Sequence, residues 1–373
     1  MSVAKSERLV SLDVFRGLTI AGMILVNSPG TWEYVYPALR HSKWNGCTPT
    51  DIIFPFFIFI VGMAITYSIS KKVERNTADG KIIFEIVRRS VIIFFLGVFL
   101  NGFPFFNLST IRIPGVLQRI AVVYLFSAII FLKCNKKTIF IVSFLTLFFY
   151  WGIMTLIPVP GVGYANLEPS TNLGAWLDRL VFGKHLWGQS VVWDPEGIMS
   201  TIPAVATGLL GVLTGYLLRS DKDKITKTVY LFVAGNLLLV TGYIWDIWFP
   251  INKNLWTSSY VIYTAGLALN FLGICFWFID VKGYKKWSVP FHVFGLNAIT
   301  AYFLSEIMET IIDVVNVSNS AGKNIPLKEF LFNNIFLGWN SPVNASLIWA
   351  ICYVLLLFTL VLILYRKKIF IRI

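Results

Sequence analysis

Residues 38–57, ALRHSKWNGCTPTDIIFPFF, place His41 ten positions before Asp51, at the mouth of an apolar run. The chain has three histidines in all. An imidazole exchanges protons near neutral pH. A carboxylate beside it can hold its tautomer and steady its charged form. Such a pair can act as a general base, or the ring can take an acyl group and pass it on. Asn27, an amide near the end of the preceding apolar run, also needs a polar partner. His41, Asp51 and Asn27 could converge where the first two runs meet. Plainer roles stay open: Asp51, after Thr-Pro-Thr, suits a helix cap, and His41 suits an interfacial loop.

Charges also fall inside apolar runs. SLDVFRGL sets Asp13 and Arg16 three apart on one helical face, and RIPGVLQRIAVVY carries Arg119 two turns after Arg112. Each such charge costs about 2.5–3.5 kcal/mol at membrane depth and normally faces an interior or a watery cavity. Asp13 and Arg16 can pair structurally. Arg119 has no acid in its own run, so a bound anion such as a phosphate is a natural partner. Two outer segments end in polar groups: WDPEG, with Asp194 and Glu196, and NKNLW, with Asn254 and Trp256. Carboxylates, an amide and an indole there suit a sugar, although turn formation, capping and an interfacial aromatic belt would use the same residues. His185 and His292 read as interfacial polar residues. The four cysteines form no CxxC pair, so neither a disulfide framework nor a metal site is expected. Nucleotide-loop, zinc-protease and serine-esterase motifs are absent.

These residues need a frame of membrane helices. The 373 residues are 56% hydrophobic and 14% charged, with mean hydropathy +0.71, against about 25% charged in a soluble domain. Ten apolar runs, near 12–30, 51–70, 86–104, 113–132, 138–157, 200–218, 228–247, 257–279, 290–311 and 343–365, predict an all-α polytopic membrane protein of about ten transmembrane helices. Of the 32 Lys and Arg, 22 lie in or at the edge of one alternate set of connections and tails, Arg88 and Arg89 at the start of the third run among them, eight lie in the other, and two, Arg16 and Arg119, lie well within runs. That asymmetry puts both termini in the cytoplasm. It also accounts for the net charge of +13 without nucleic acid as a partner. No small-residue cleavage site follows the first run, which reads as a retained helix. One domain, 1–373, is expected, with an ordered extracytoplasmic segment at 158–199. Aromatic and glycine-rich helix faces are compatible with a homodimer.

SLDVFRGL, HSKWNGCTPTDIIFPFFIFIVG, RIPGVLQR, PVPG, DPEG, NKNLW and YRKKIF, in this order, resemble the membrane domain of the heparan-α-glucosaminide N-acetyltransferase family of transmembrane acyltransferases. The resemblance runs from about residue 8 to the C-terminus and implies a shorter, bacterial relative in the inner membrane. It implies acetyl transfer from cytoplasmic acetyl-CoA to a glucosamine-type amine across the bilayer, without a metal. The family's active histidine falls on His41, its supporting acid and amide on Asp51 and Asn27, and its arginine on Arg119. CoA is a large polyanion, so basic inner positions such as Arg88 and Lys367 are expected to meet its phosphates, with Arg16 and Arg119 lining the route. A different class, an amino-sugar transporter, would use the same polar residues as a path; the paired broken helices and repeats typical of transporters are not evident. A catalytically idle scaffold would tolerate loss of His41 and Asp51.

Overall fold

In the computed structural model, the described residues are 9–318, 322–339 and 341–371. Lys5, Arg8 and Arg372, which enter the charge count, lie outside them. The apolar runs form helices α1 (Val10–Asn27), α2 (Ile53–Glu74), α3 (Asp79–Gly102), α4 (Val116–Lys133) and α5 (Lys136–Leu156). After the short α6 (Leu173–Phe182) come α7 (Ile198–Arg219), α8 (Lys224–Trp245) and α9 (Ser258–Phe276). The last part holds α10 (Val289–Leu296), α11 (Ala298–Val314), α12 (Leu327–Leu331) and α13 (Pro342–Arg366), with a small hairpin, Asn316–Ser318 against Asn324–Pro326. Polar side chains start several helices. Asn135, Asn172 and Asp223 accept from the backbone N–H of Thr138, Ala175 and Thr226 at the mouths of α5, α6 and α8.

Eight helices among the described residues are long and apolar enough to cross a membrane: α1, α2, α4, α5, α7, α8, α9 and α13. The other two expected runs are helical too, but differ in kind. α3 carries Glu85, Arg88 and Arg89 in its first half. The run at 290–311 breaks at Asn297, and its second piece, α11, carries Glu306, Glu309 and Asp313. The all-α membrane architecture is therefore as expected, with one interrupted element that hydropathy alone had joined.

Burial sorts the helices into layers. More than 60% of the membrane windows of α1, α2, α7 and α9 is buried, against 28% for α5, α8 and α13. The second set presents exposed Phe148, Leu237 and Leu355 to the lipid. With no hydrophobic drive between helices in lipid, close approach of backbones holds such an interior together. A Cβ on Gly211 of α7 would lie 2.0 Å from the Phe59 carbonyl oxygen of α2, and one on Gly17 of α1 would lie 1.7 Å from that of Phe291 on α10. The short connections meet at one end, where Arg219 binds Glu74 and Lys133 binds Asp79, each at 2.7 Å. The long ones, 28–52, 103–115, 157–197 and 246–257, gather at the other. The long segment is ordered by α6 and by Arg179, which donates to Ser170 O and Val192 O at 2.8 and 3.0 Å.

Gly211→Leu drives a side chain into the α2 backbone. Overpacking of this kind costs about 1–3 kcal/mol. The expected outcome is a thermal midpoint in detergent several degrees below wild type; an unchanged midpoint would contradict the packing described.

Candidate active site

Asp51 sits in a 3-10 turn, Pro49–Ile52, that leads into α2, and its side chain is fully buried. A buried carboxylate needs every lone pair answered. Its Oδ2 accepts from the backbone N–H of Ser42 and of Thr48, each at 3.0 Å, and from the Thr48 hydroxyl at 3.0 Å. Its Oδ1 lies 2.7 Å from His41 Nδ1. Tyr260 of α9 donates to the Asp51 carbonyl at 2.5 Å and pins the turn to the core. Asp51 thus caps the helix and holds the histidine at once, so its two possible roles coexist. The His41 side chain is 43% exposed, which leaves the ring reachable.

The Trp-Asn-Gly turn explains how the loop stays in place. Gly46, at φ +104°, donates its N–H to Ile251 O at 2.7 Å, and Asn252 donates to the Asn45 amide oxygen at 3.1 Å. That docking brings Lys253 to the histidine: its Nζ is 3.1 Å from Nδ1, 3.3 Å from Nε2 and 3.9 Å from Asp51 Oδ1. Burial pushes the Lys253 pKa down, against the pull of Asp51 and then Glu196. Lys253 belongs to NKNLW but, as one lysine in an outer loop, it carried no sequence signal of its own. Cys47 is nearby, and burial, then Asp51, pushes its thiol up to about 12, so it stays protonated and is a poor nucleophile.

Behind this dyad lies a charge network. Arg112 donates to Asp194 Oδ2 from Nε at 2.8 Å, and from Nη2 to Asp194 Oδ1 at 2.5 Å and Glu196 Oε2 at 2.6 Å. Burial would raise the Glu196 pKa, but Arg112 and Arg119 outweigh it and hold the carboxyl below its usual range. Asp194 and Glu196 are therefore committed to a guanidinium. Arg119, 2% exposed, donates to the Ser200 hydroxyl and stacks 4.8 Å over the Trp256 ring. Trp256 is 1% exposed and its indole donates to Thr207 at 3.1 Å. Its face is spent on Arg119 inside the protein, which corrects the expectation of a sugar-stacking indole at the mouth. Asn254 lines a cavity of about 10 Å³, roughly one water, with Trp44, Trp193 and Asp194.

Other expected residues make contacts of their own. Asn27 hydrogen-bonds the Glu306 side chain of α11. Glu306 belongs to the piece that follows the break at Asn297. Arg16 reaches Asp13 at 3.3 Å and Gly295 O at 3.1 Å, a helix-joining role near the short-connection end, with His292 Nδ1 3.9 Å from Asp13. Arg88 and Lys367 are exposed. His185 Nδ1 bonds Ile111 O at 2.8 Å. Among the described residues no group of His, Cys, Asp and Glu could hold a metal ion.

The family described as heparan-alpha-glucosaminide N-acetyltransferase, catalytic, matches residues 8–227. Two relatives carry the name heparan-alpha-glucosaminide N-acetyltransferase. The mouse protein is 31% identical over 362 residues, covering 82% of this chain and 54% of its own length. The human protein is 29% identical over 428 residues, covering 98% of this chain and 60% of its own. The chain thus spans little more than half the length of these relatives.

Asp178 of α6 joins the network from below: it accepts from Ile198 N at 3.0 Å, and a Cβ on Gly197 would lie 2.0 Å from its Oδ2. Burial raises its pKa from 3.8 to about 6. An acid whose folded pKa is raised stabilises the fold fully below the unfolded pKa and loses that contribution as pH rises through the folded one. A shift of this size is worth about 3 kcal/mol. Relative to Asp178→Asn, wild type is expected to lose stability between about pH 4 and 6; thermal midpoints that run parallel across that window would contradict it.

Proposed function

Because the chain belongs to the heparan-alpha-glucosaminide N-acetyltransferase family, we propose that it is an acetyl-CoA-dependent transmembrane N-acetyltransferase acting on the amine of a glucosamine-type sugar. The observation that carries the reading is the 2.7 Å contact between a reachable His41 and a fully buried Asp51. Asp51 Oδ1 accepts from Nδ1–H and so leaves the Nε2 lone pair as the base. Lys253 Nζ stands 3.1 Å from Nδ1 and 3.3 Å from Nε2, a cation against the ring.

The chemistry follows from that placement. The free amine attacks the thioester carbonyl carbon and a C–N bond forms. His41 Nε2 takes the nitrogen's proton, the C–S bond breaks, and the proton passes to the departing thiolate. The products are the N-acetyl sugar and free CoA. Lys253 supplies a cation where negative charge gathers on the carbonyl oxygen. Direct transfer needs only position and a base, so it is preferred to an acetyl-histidine; ping-pong kinetics would reverse that preference. The donor's phosphates belong at the basic end, where Arg88 and Lys367 are exposed, and that end faces the cytoplasm by the charge asymmetry. Asn27, with Glu306, lies on the acceptor side of this arrangement.

His41→Ala is expected to lower turnover of acetyl-CoA with glucosamine by about a hundred- to ten-thousand-fold. Lys253→Met should lower kcat more than it raises KM, as loss of a contact made chiefly in the transition state does. Release of CoA and formation of N-acetylglucosamine by purified protein provide the readout. Full activity in His41→Ala would contradict the base, and absence of transfer by wild type, with sugar flux in vesicles, would favour the transporter.

A further inference from the structure

Arg119 and Gln118 hold donors that the transfer chemistry leaves unused. Arg119 Nε and Nη1 and Gln118 Nε2 have no hydrogen-bond partner among the described residues, although the two residues are 2% and 4% exposed. Both line one end of a cavity of about 360 Å³ between α3, α4 and α7. Glu196 and Gly197 complete that end, and Arg119 there stacks on Trp256, whose backbone N–H donates to Lys253 O at 3.1 Å, so the cavity ends near the dyad.

Apart from Thr201, whose hydroxyl is spent on Gly197 O, the rest of the wall is apolar, with Phe94, Val122, Phe126, Ile202 and Val205. Phe126 is 50% exposed and lies midway along α4, seven residues beyond Arg119. That is about 10 Å of helix, so the groove opens sideways at membrane depth, onto lipid. A pantetheine arm would bury two amides against a wall with almost nothing to answer them. A hydrocarbon chain needs no such partners, and unused guanidinium and amide donors at its closed end suit an anion.

We propose that this groove seats the hydrocarbon chain of a lipid-borne acceptor, an amino sugar joined to the chain through a phosphate that Arg119 and Gln118 receive. The inference rests on the N-acetyltransferase reading and names its substrate class. The acceptor then enters from the bilayer, and its amine meets His41 at the end of the groove.

The test uses glucosamine 1-phosphate esterified to a dodecyl chain with a terminal diazirine, irradiated with the protein in nanodiscs and mapped by mass spectrometry. Label is expected at Phe126, Val122 or Val205. Val205→Trp, and separately the milder Val122→Phe, should cut it by about tenfold, as loss of room for a few methylenes does. In the same variants the KM for free glucosamine should not move. Label spread over the lipid faces of α5 and α13, or untouched by both variants, overturns the proposal. Labelling does not depend on catalysis. Acetylation of free glucosamine without groove label therefore removes the lipid-borne acceptor and keeps the transferase. Groove label without acetylation of either acceptor removes the transferase, and with it the role of this site in acceptor binding.

Discussion

A carboxylate buried without water must be answered on every side, and Asp51 is answered by four groups from two directions. That constraint organises the site. Three of the four partners are supplied by Ser42 and Thr48, so the loop can close only in a form that folds back on the head of α2. The fourth is the His41 imidazole, which must then point where Asp51 directs it. Tyr260 anchors the same turn to α9 through the backbone, and the Gly46–Ile251 hydrogen bond ties the loop to the segment that carries Lys253. The histidine is exposed, yet its orientation is set by groups that are not.

The second layer is electrostatic. Two carboxylates from DPEG grip Arg112 by three hydrogen bonds, and a second guanidinium, Arg119, is stacked on Trp256 and, among the described residues, has no carboxylate of its own in contact. Charges this deep are tolerated when paired, and removing one partner costs more than the pair contributes. The network joins the 103–115 and 157–197 connections to the loops that hold the dyad. Four separate stretches of chain thereby become one wall at the end of the bundle. Gly197 is required there because any side chain would collide with Asp178.

Much of this was legible in the sequence, for physical reasons. Apolar runs bounded by basic turns mark membrane helices because the bilayer leaves the backbone few alternatives. The family resemblance read from the motif order is borne out by the match over residues 8–227. The pairing of His41 with Asp51 was legible because an acid next to a helix mouth and a histidine in a short loop have few places to go. What escaped were contacts between loops distant in sequence. Lys253 is 212 residues from His41, and a lone outer lysine looks like any other charge. Trp256 looked like a sugar-stacking ring because its stacking on Arg119 joins the 246–257 connection to α4, far off in sequence. The bond from Asn27 to Glu306 escaped too, because hydropathy ran α10 and α11 together and hid the break at Asn297 that precedes Glu306.

On the proposed function, Asp51 fixes the proton of His41 on Nδ1 and frees Nε2. Nitrogen-15 NMR of histidine-labelled protein in nanodiscs, with His41→Gln as the assignment control, reads this directly. The account predicts a neutral His41 with Nδ1 protonated and Nε2 bare, and loss of that single tautomer in Asp51→Asn. A His41 ring protonated on Nε2, or a tautomer mixture that Asp51→Asn leaves unchanged, would contradict it.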